Sequence, residues 1–130
     1  MTDQTAMRVM IIEDEPLIAL NLEELMIASG FLVAGIAGRL AKALALIERD
    51  VCDVALLDAN LAGVSSGPAG LALTARGVPY LVLSGYSAAQ QEGAFPGAAS
   101  FMQKPFIPDR LVEALRAIRL KAGVSDGRSV

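Results

Sequence analysis

Strand-like and helix-like patterns alternate five times along this chain, and that alternation leaves few folds open. Short, mostly apolar runs of this kind are typical of strands buried on both faces of a sheet. Strict alternation predicts a parallel sheet covered by helices on both faces, a doubly wound α/β fold. The predicted strands are Arg8–Ile12, Phe31–Ala37, Val54–Leu57, Val78–Leu83 and Ala99–Gln103.

The helices between these strands differ in strength. Pro16 suits a first helical turn and Gly30 suits a helix end, so the first helix is well marked. The helix after the third strand is weak, because Gly67, Pro68 and Gly70 crowd its start. The other predicted helical segments are Arg39–Asp50, Ala69–Arg76, two turns over Ser87–Glu92, and Asp109–Lys121.

The length of 130 residues predicts a single domain. We expect it to cover residues 8–121, with tails at 1–7 and 122–130 and no output domain. No apolar run approaches the ~20 residues of a membrane span, and the N-terminus lacks the basic cluster of a signal peptide. The single cysteine, Cys52, excludes an internal disulfide and fits a reducing cytoplasm.

Histidine is absent from the chain, which removes several classes of chemistry at once. Serine–histidine and cysteine–histidine catalytic groups are excluded, as are zinc sites with histidine ligands. The net charge of −3 argues against nucleic acid as the main partner.

Polar residues follow four of the five predicted strands: Glu13, Asp14, Asp58, Ser84 and Lys104. Each has an ordinary explanation when taken alone. Acidic residues favour a helix N-terminus, aspartate and serine are common in turns, and lysine is common on surfaces. Together they lie at the carboxyl ends of parallel strands, where ligands of such sheets bind.

In the strand order 2-1-3-4-5, the first and third strands are neighbours, so Asp14 and Asp58 converge. Clustered carboxylates repel each other and favour either a bound cation or a raised carboxyl pKa. Oxygen ligands alone select a hard ion such as Mg²⁺, with Mn²⁺ also possible. With Lys104 and Ser84 nearby, the set is suited to phosphoryl transfer with Asp58 as nucleophile.

Four motifs follow four strands in order: Ile12-Glu13-Asp14-Glu15-Pro16, Leu57-Asp58-Ala59-Asn60-Leu61, Leu83-Ser84-Gly85-Tyr86 and Gln103-Lys104-Pro105-Phe106. With them, the chain resembles the receiver domain of bacterial two-component response regulators from Arg8 to Lys121. The resemblance implies the five-stranded CheY-like fold, which has flavodoxin-like topology.

The resemblance also implies roles for the residues that match its motifs. Asp58 is the expected phosphoacceptor, and Lys104 is expected to bind the phosphoryl group. Glu13 and Asp14 match the acidic pair that binds Mg²⁺ together with Asp58 and the backbone carbonyl of Asn60.

A second group of matched residues concerns switching and dephosphorylation. Ser84 is the expected switch hydroxyl and Phe101 the switch aromatic. Asn60 and Tyr86 match positions that border the path of the attacking water. The Lys104-Pro105 bond matches the cis peptide of the family.

Three departures from the family pattern stand out. Glu13 occupies a position where aspartate is commoner, and Ser84 follows Asp58 by only 26 positions. Pro68 and the Ser84-Gly85-Tyr86 turn resemble the receiver subfamily with a T/S-G-Y signature, called FAT GUY. The third departure is that we expect no DNA-binding output domain, so the chain resembles a stand-alone receiver.

The expected function is therefore that of a single-domain response regulator rather than an enzyme acting on other substrates. It would take its phosphoryl group from a sensor histidine kinase or a phosphotransfer protein. It would relay or drain the signal through protein contacts, with a downstream partner on the face formed by residues 84–121. The main alternative is a pseudo-receiver, a binding module that is never phosphorylated. A haloacid-dehalogenase-like phosphatase and an FMN carrier fit the motifs less well.

Overall fold

The computed structural model describes residues 6–49, 52–86 and 93–128, with side chains through Ile118. In chain order, the elements are β1 (Arg8–Ile12), α1 (Pro16–Ala28), β2 (Leu32–Ala37), α2 (Leu40–Arg49), β3 (Val54–Asp58), β4 (Asn60–Leu61), β5 (Val64–Ser65), α3 (Gly67–Ala75), β6 (Tyr80–Ser84), β7 (Ser100–Gln103) and α4 (Pro108–Arg128).

Five of the strands form one parallel sheet in the order β2-β1-β3-β6-β7. The strands β4 and β5 form a separate antiparallel hairpin directly after β3. With that hairpin set aside, the observed order is the predicted 2-1-3-4-5. The predicted doubly wound fold is therefore confirmed.

Among the described residues, each face of the sheet packs against two helices. On one face, α2 and α3 cover side chains that include Met10, Leu57 and Val82. On the other face, α1 and α4 cover Ile11 and Leu56, among others. Every residue of β3 and β6 is buried, which explains their nearly continuous apolar sequence.

The edge strand β2 contains a β-bulge at Ala34. Val9 of β1 pairs with Val33, but Met10 pairs with Gly35, so Ala34 is an extra residue. The bulge reverses the alternation of side chains beyond it. As a result, Val33 and Ile36 both pack on the α1 and α4 face, although they are three residues apart.

The structure differs from the sequence-based prediction near both ends of the domain. Met7, expected in a tail, is 3% exposed in the core on the α1 side, and its carbonyl accepts a hydrogen bond from the amide of Leu32. The last helix continues to Arg128, where the sequence predicted an end at Lys121 and a tail over 122–130. A single interior glycine such as Gly123 costs only about 1 kcal/mol, and no proline follows Pro108 to stop the helix.

The third helix begins earlier in the chain than the sequence predicts. It begins at Gly67 rather than Ala69 because Pro68 occupies its first turn, where the missing amide hydrogen costs nothing. The two helical turns expected over Ser87–Glu92 lie outside the described residues. Within the part of the chain that is described, no helix combines the length and apolar character needed to cross a membrane.

Candidate functional site

Three carboxylates meet at the carboxyl end of the sheet. Glu13 and Asp14 follow β1, and Asp58 ends β3, which pairs with β1 through Ile12 and Leu57. One ligand oxygen from each of the three carboxylates lies within 4.8 Å of the others. The convergence predicted for Asp14 and Asp58 is therefore observed, with Glu13 as a third member.

Lys104 brings a positive charge into this cluster. Its Nζ lies 3.1 Å from Oε1 of Glu13 and 3.2 Å from Oδ2 of Asp58. The backbone amide of Lys104 donates to the carbonyl of Ser84 at 2.7 Å, which ties the end of β7 to the end of β6. The following bond to Pro105 is cis, as the resemblance implied.

The Glu13 side chain is almost fully buried, with 2% of the residue exposed. Its Oε2 accepts a hydrogen bond from the amide of Glu15 at 3.1 Å. Burial raises the pKa of Glu13 to about 7, and the nearby carboxylate of Asp58 adds to the increase. The Glu15 amide and Lys104 oppose it. Because burial disfavours the charged form, this carboxyl group exchanges its proton near neutral pH.

The pKa of Lys104 moves in the direction that keeps the ammonium charged. Burial would lower it, but the charges of Asp58 and Glu13 raise it above the ordinary value. The lysine therefore stays protonated and neutralises part of the negative charge at the site.

Asp14 contacts the hairpin formed by β4 and β5. Its Oδ2 accepts a hydrogen bond from the amide of Ala62 at 3.1 Å. Ala62 and Gly63 both have positive φ, 54° and 89°, as a two-residue hairpin turn requires. The side chain of Asn60 spans the turn, because its Oδ1 accepts from the amide of Gly63 at 2.7 Å.

The hairpin was not predicted from the sequence. A signal for it was present, since Ala62-Gly63 lies between the apolar residues Leu61 and Val64. Asn-Gly or Asp-Gly is the usual form of that signal, and alanine in its first position hid it.

The acceptor candidate Asp58 is held through both its side chain and its backbone. Its Oδ1 accepts from the amide of Asn60 at 3.2 Å. Its backbone carbonyl accepts from the hydroxyl of Ser66 at 2.5 Å. Ser66 is completely buried, and no motif in the sequence marked it as part of the site.

Ser84 ends β6 and is 2% exposed. Its hydroxyl oxygen accepts a hydrogen bond from the amide of Tyr86 at 2.9 Å, which closes the turn through Gly85. The residue Tyr86 itself is 61% exposed. The switch hydroxyl proposed from the resemblance is thus part of the turn that leads out of the sheet.

Phe101 packs on the same face of the sheet as Ser84. It pairs with Val82, two residues before Ser84 on β6, and joins the core on the α2 and α3 face. Its ring meets that of Phe95 edge-on, with 6.3 Å between the centroids and 73° between the planes. Phe95 is 4% exposed, and no sequence pattern marked it as a neighbour of Phe101.

The donor set fits a hard divalent cation. Three carboxylates supply oxygen ligands, and among the described residues no histidine or cysteine joins the group. Oxygen-rich sites of this kind suit Mg²⁺ or Mn²⁺ rather than zinc. Glu13, Asp14 and Asp58 are the residues that would hold the ion.

Comparison with known proteins gives one family match. A family profile described as the response regulator receiver domain matches residues 9–116. That range includes the acidic cluster, Ser84, Phe101 and Lys104. A comparison with curated proteins found no match.

Solved structures are similar over nearly the whole chain. The signal receiver domain of a modulated diguanylate cyclase from Desulfovibrio desulfuricans G20 is 20% identical, with a TM-score of 0.84, over 93% of this chain and 99% of that one. A CheY-like response regulator receiver domain protein from Methanospirillum hungatei JF-1 is 23% identical, with a TM-score of 0.79, over 94% and 99%. At these identities, the two structures show a shared fold.

A third solved structure is more similar in sequence. The anti-anti-sigma factor PhyR from Bartonella quintana is 29% identical, with a TM-score of 0.80, over 97% of this chain and 53% of that one. The present chain thus spans about half the length of that protein.

Proposed function

Because this chain belongs to the response regulator receiver domain family, we propose that Asp58 accepts a phosphoryl group from a phosphohistidine on a sensor histidine kinase or phosphotransfer protein. The observation that carries this proposal is the meeting of Asp58 with Lys104 at 3.2 Å, inside a cluster of three carboxylates. A nucleophilic carboxylate beside a fixed positive charge and a cation site is the arrangement that phosphoryl transfer needs.

In the proposed step, a carboxylate oxygen of Asp58 attacks phosphorus and forms an acyl phosphate. The phosphorus–nitrogen bond of the donor breaks, and its electron pair stays on the imidazole nitrogen. These 130 residues contain no histidine, so the donor histidine lies outside them. Lys104 remains charged and faces the phosphoryl oxygens, while Ser84 supplies a hydroxyl donor.

A divalent cation at the carboxylate cluster would add positive charge beside the phosphoryl oxygens when bound. Glu13, Asp14 and Asp58 supply its oxygen ligands, and we propose that the backbone carbonyl of Asn60 completes the set. Since these carboxylates repel one another without a cation, we expect phosphorylation to depend on Mg²⁺.

The proposed output is a change of protein contacts on the face formed by residues 84–121. Ser84 lies next to the acceptor strand and shares a sheet face with Phe101, so movement of its hydroxyl alters the packing of that ring. The likeness to a PhyR described as an anti-anti-sigma factor supports an output through protein partners. In this proposal the chain acts in the cytoplasm and catalyses only its own phosphorylation and dephosphorylation.

The Ser84-Gly85-Tyr86 turn also supports assignment to the T/S-G-Y receiver subfamily. The hydroxyl of Ser84 and the amide of Tyr86 are joined across Gly85, so all three signature positions are used in one turn. This assignment predicts that the turn, rather than a helix, transmits the first movement away from the acceptor.

Labelling with acetyl phosphate and Mg²⁺ tests the function, with the intact protein weighed by mass spectrometry. We expect the wild type to gain the mass of one phosphoryl group and Asp58→Asn to gain none. Asp109→Asn is the matched control, because Asp109 is an exposed residue in the first turn of α4. A wild-type protein that gains no mass would favour the pseudo-receiver, and labelling of Asp58→Asn would move the acceptor elsewhere.

A further inference from the structure

Ser66 places a buried hydroxyl against the backbone of the acceptor residue. The residue is 0% exposed, and its Oγ donates to the carbonyl oxygen of Asp58 at 2.5 Å. We propose that Ser66 is a positioning residue, which fixes the main chain of Asp58 so that its carboxylate meets the incoming phosphoryl group in a productive orientation. This inference rests on the proposed function, since it assumes that Asp58 is phosphorylated.

Ser66 lies at the start of α3, but its hydroxyl does not cap the helix. Ser66 is the N-cap residue of α3, where a serine side chain ordinarily accepts a hydrogen bond from the first turn of the helix. Its side chain makes no such bond here. The neighbouring Ser65 takes over that role, because its Oγ accepts from the amide of Gly67 at 3.1 Å.

The backbone of Ser66 adds a second link to the acceptor segment. Its amide donates to the carbonyl of Ala59 at 3.0 Å. On the opposite side, the amide of Ala59 donates to the carbonyl of Leu83 in β6 at 2.9 Å. The peptide that joins Asp58 to Ala59 is therefore held from α3 and from the sheet at the same time.

This fixed peptide determines where the Asp58 carboxylate can lie. Oδ1 is already oriented by the amide of Asn60, and Oδ2 by the ammonium of Lys104. Both orienting groups act correctly only if the Cα of Asp58 keeps its place. Rates of group transfer fall steeply when a nucleophile is misplaced by as little as 1 Å.

The backbone carbonyl of Asp58 needs a hydrogen-bond donor because it lies beyond the end of the ladder between β1 and β3. The last β1 residue that pairs with β3 is Ile12, which pairs with Leu57, so the ladder between these strands stops one residue before Asp58. A buried carbonyl beyond the end of a ladder must find another donor or remain unsatisfied. Ser66 meets this need and thereby connects the acceptor to the start of α3.

The test compares Ser66→Ala with Ser65→Ala in acetyl phosphate labelling. Ser65 is the matched control, since it is the adjacent serine, lies in the same loop and makes its hydrogen bond away from Asp58. We expect Ser66→Ala to lower the maximal labelling rate by roughly 10- to 100-fold. The acetyl phosphate and Mg²⁺ concentrations for half-maximal rate should stay close to those of the wild type, and Ser65→Ala should label at the wild-type rate.

Restoring the hydroxyl is the second part of the test. Ser66→Thr keeps the donor and should regain most of the rate. Ser66→Cys keeps the size of the side chain with a weaker donor and should fall between serine and alanine. Circular dichroism and thermal unfolding of each variant show whether it is folded. If Ser66→Ala does not fold, the Thr and Cys variants still test the inference. A labelling rate that is near wild type with threonine and lower with cysteine supports it, and equal rates contradict it.

Several results would overturn the inference. A folded Ser66→Ala that labels at the wild-type rate would show that the hydroxyl does not position Asp58. Equal losses in Ser66→Ala and Ser65→Ala would show a general effect on the loop, and a change confined to the Mg²⁺ dependence would show an effect on the metal ligands. A wild-type protein that never labels would instead refute the proposed function, and this inference with it.

Discussion

The ammonium of Lys104 lies 3.1 Å from the buried carboxylate of Glu13, so the lysine that we assign to phosphoryl binding is already paired with an acid. The same ammonium contacts Asp58 at 3.2 Å. Glutamate reaches this lysine from a position where many receivers carry the shorter aspartate. The pairing links the charge of the lysine to the protonation of Glu13, whose pKa burial raises to about 7.

The raised pKa of Glu13 predicts how stability depends on pH without metal. Between about pH 4.5, the ordinary pKa, and about pH 7, the folded chain holds a proton that the unfolded chain has lost. The free energy of unfolding therefore decreases as the pH rises through this window and levels off above it. Glu13→Gln should remove this slope, as measured by urea unfolding in EDTA. Glu48→Gln, an exposed position on α2, is the control, and an unchanged slope in Glu13→Gln would contradict the assignment.

Asp14 should matter more than Glu13 for Mg²⁺. Glu13 is buried and paired with Lys104, whereas Asp14 is only half-buried. We expect Asp14→Ala to raise the Mg²⁺ concentration needed for half-maximal labelling by at least about tenfold, and EDTA to stop labelling of the wild type. Isothermal titration with Mg²⁺ gives an independent measure of binding. If Asp14→Ala labels with the wild-type Mg²⁺ dependence, the metal site lies elsewhere.

Tyr86 should influence the lifetime of the acyl phosphate more than the stability of the fold. At 61% exposed, its side chain contributes little to packing, so truncation should change the free energy of unfolding by less than about 0.5 kcal/mol. Its ring follows the Ser84 turn and can shield the acyl phosphate from water. Tyr86→Ala should therefore shorten the lifetime severalfold, measured as loss of phosphoryl mass with time. Tyr86→Phe keeps the ring and is the control, and an equal lifetime in Tyr86→Ala would show that the ring points away from the site.

Phosphorylation should change the environment of Phe101 and its neighbour Phe95. These rings meet edge-on over the same face of the sheet as Ser84. We expect beryllofluoride, which mimics the phosphoryl group, to shift the amide resonances of Tyr86, Phe95 and Phe101 in NMR spectra. Changes that stay within the Asp14 and Asp58 pocket would instead identify a phosphate sink that transmits no signal.

Gly70 should be needed for the packing of α3 against Tyr80. A Cβ at Gly70 would lie 2.8 Å from the Tyr80 hydroxyl oxygen and 3.0 Å from the ring carbon that bears it. Tyr80 is 1% exposed and cannot move aside easily. Gly70→Ala should therefore lower the free energy of unfolding by about 1–2 kcal/mol, because overpacking outweighs the gain of about 1 kcal/mol in helix propensity. Gly85→Ala, which meets nothing within 4 Å, is the control in the same urea titration. Equal stability of the two variants would contradict this account.

The sheet and the position of the carboxylate cluster were predictable because their signals are strong and local. Apolar runs gave the five strands, and polar residues at the strand ends gave the edge where they converge. The parallel order then placed Asp14 near Asp58, which the structure confirms. Glu13 was correctly identified as part of the cluster, but its burial and its pairing with Lys104 depend on side-chain packing that a linear sequence does not reveal.

The parts that could not be predicted depend on contacts between distant or unremarkable residues. Ser66 looks like an ordinary capping serine in the sequence, and only the path of the hairpin brings it to the carbonyl of Asp58. The extent of the last helix was missed because Gly123 suggested an end that the rest of its residues do not require. Phe95 gave no periodic signal, since it lies outside the helices and strands and packs against Phe101 through the fold.

The extra residue Ala34 has a consequence for how this molecule meets copies of itself. The edge strand β2, with the sequence LVAGIA, carries no charge and no proline, so neither of these protects it against edge-to-edge aggregation. The bulge interrupts the even spacing of its hydrogen-bonding groups and increases the local twist. A foreign strand could match the edge on only one side of Ala34, which makes β2 a poor template for amyloid-like growth.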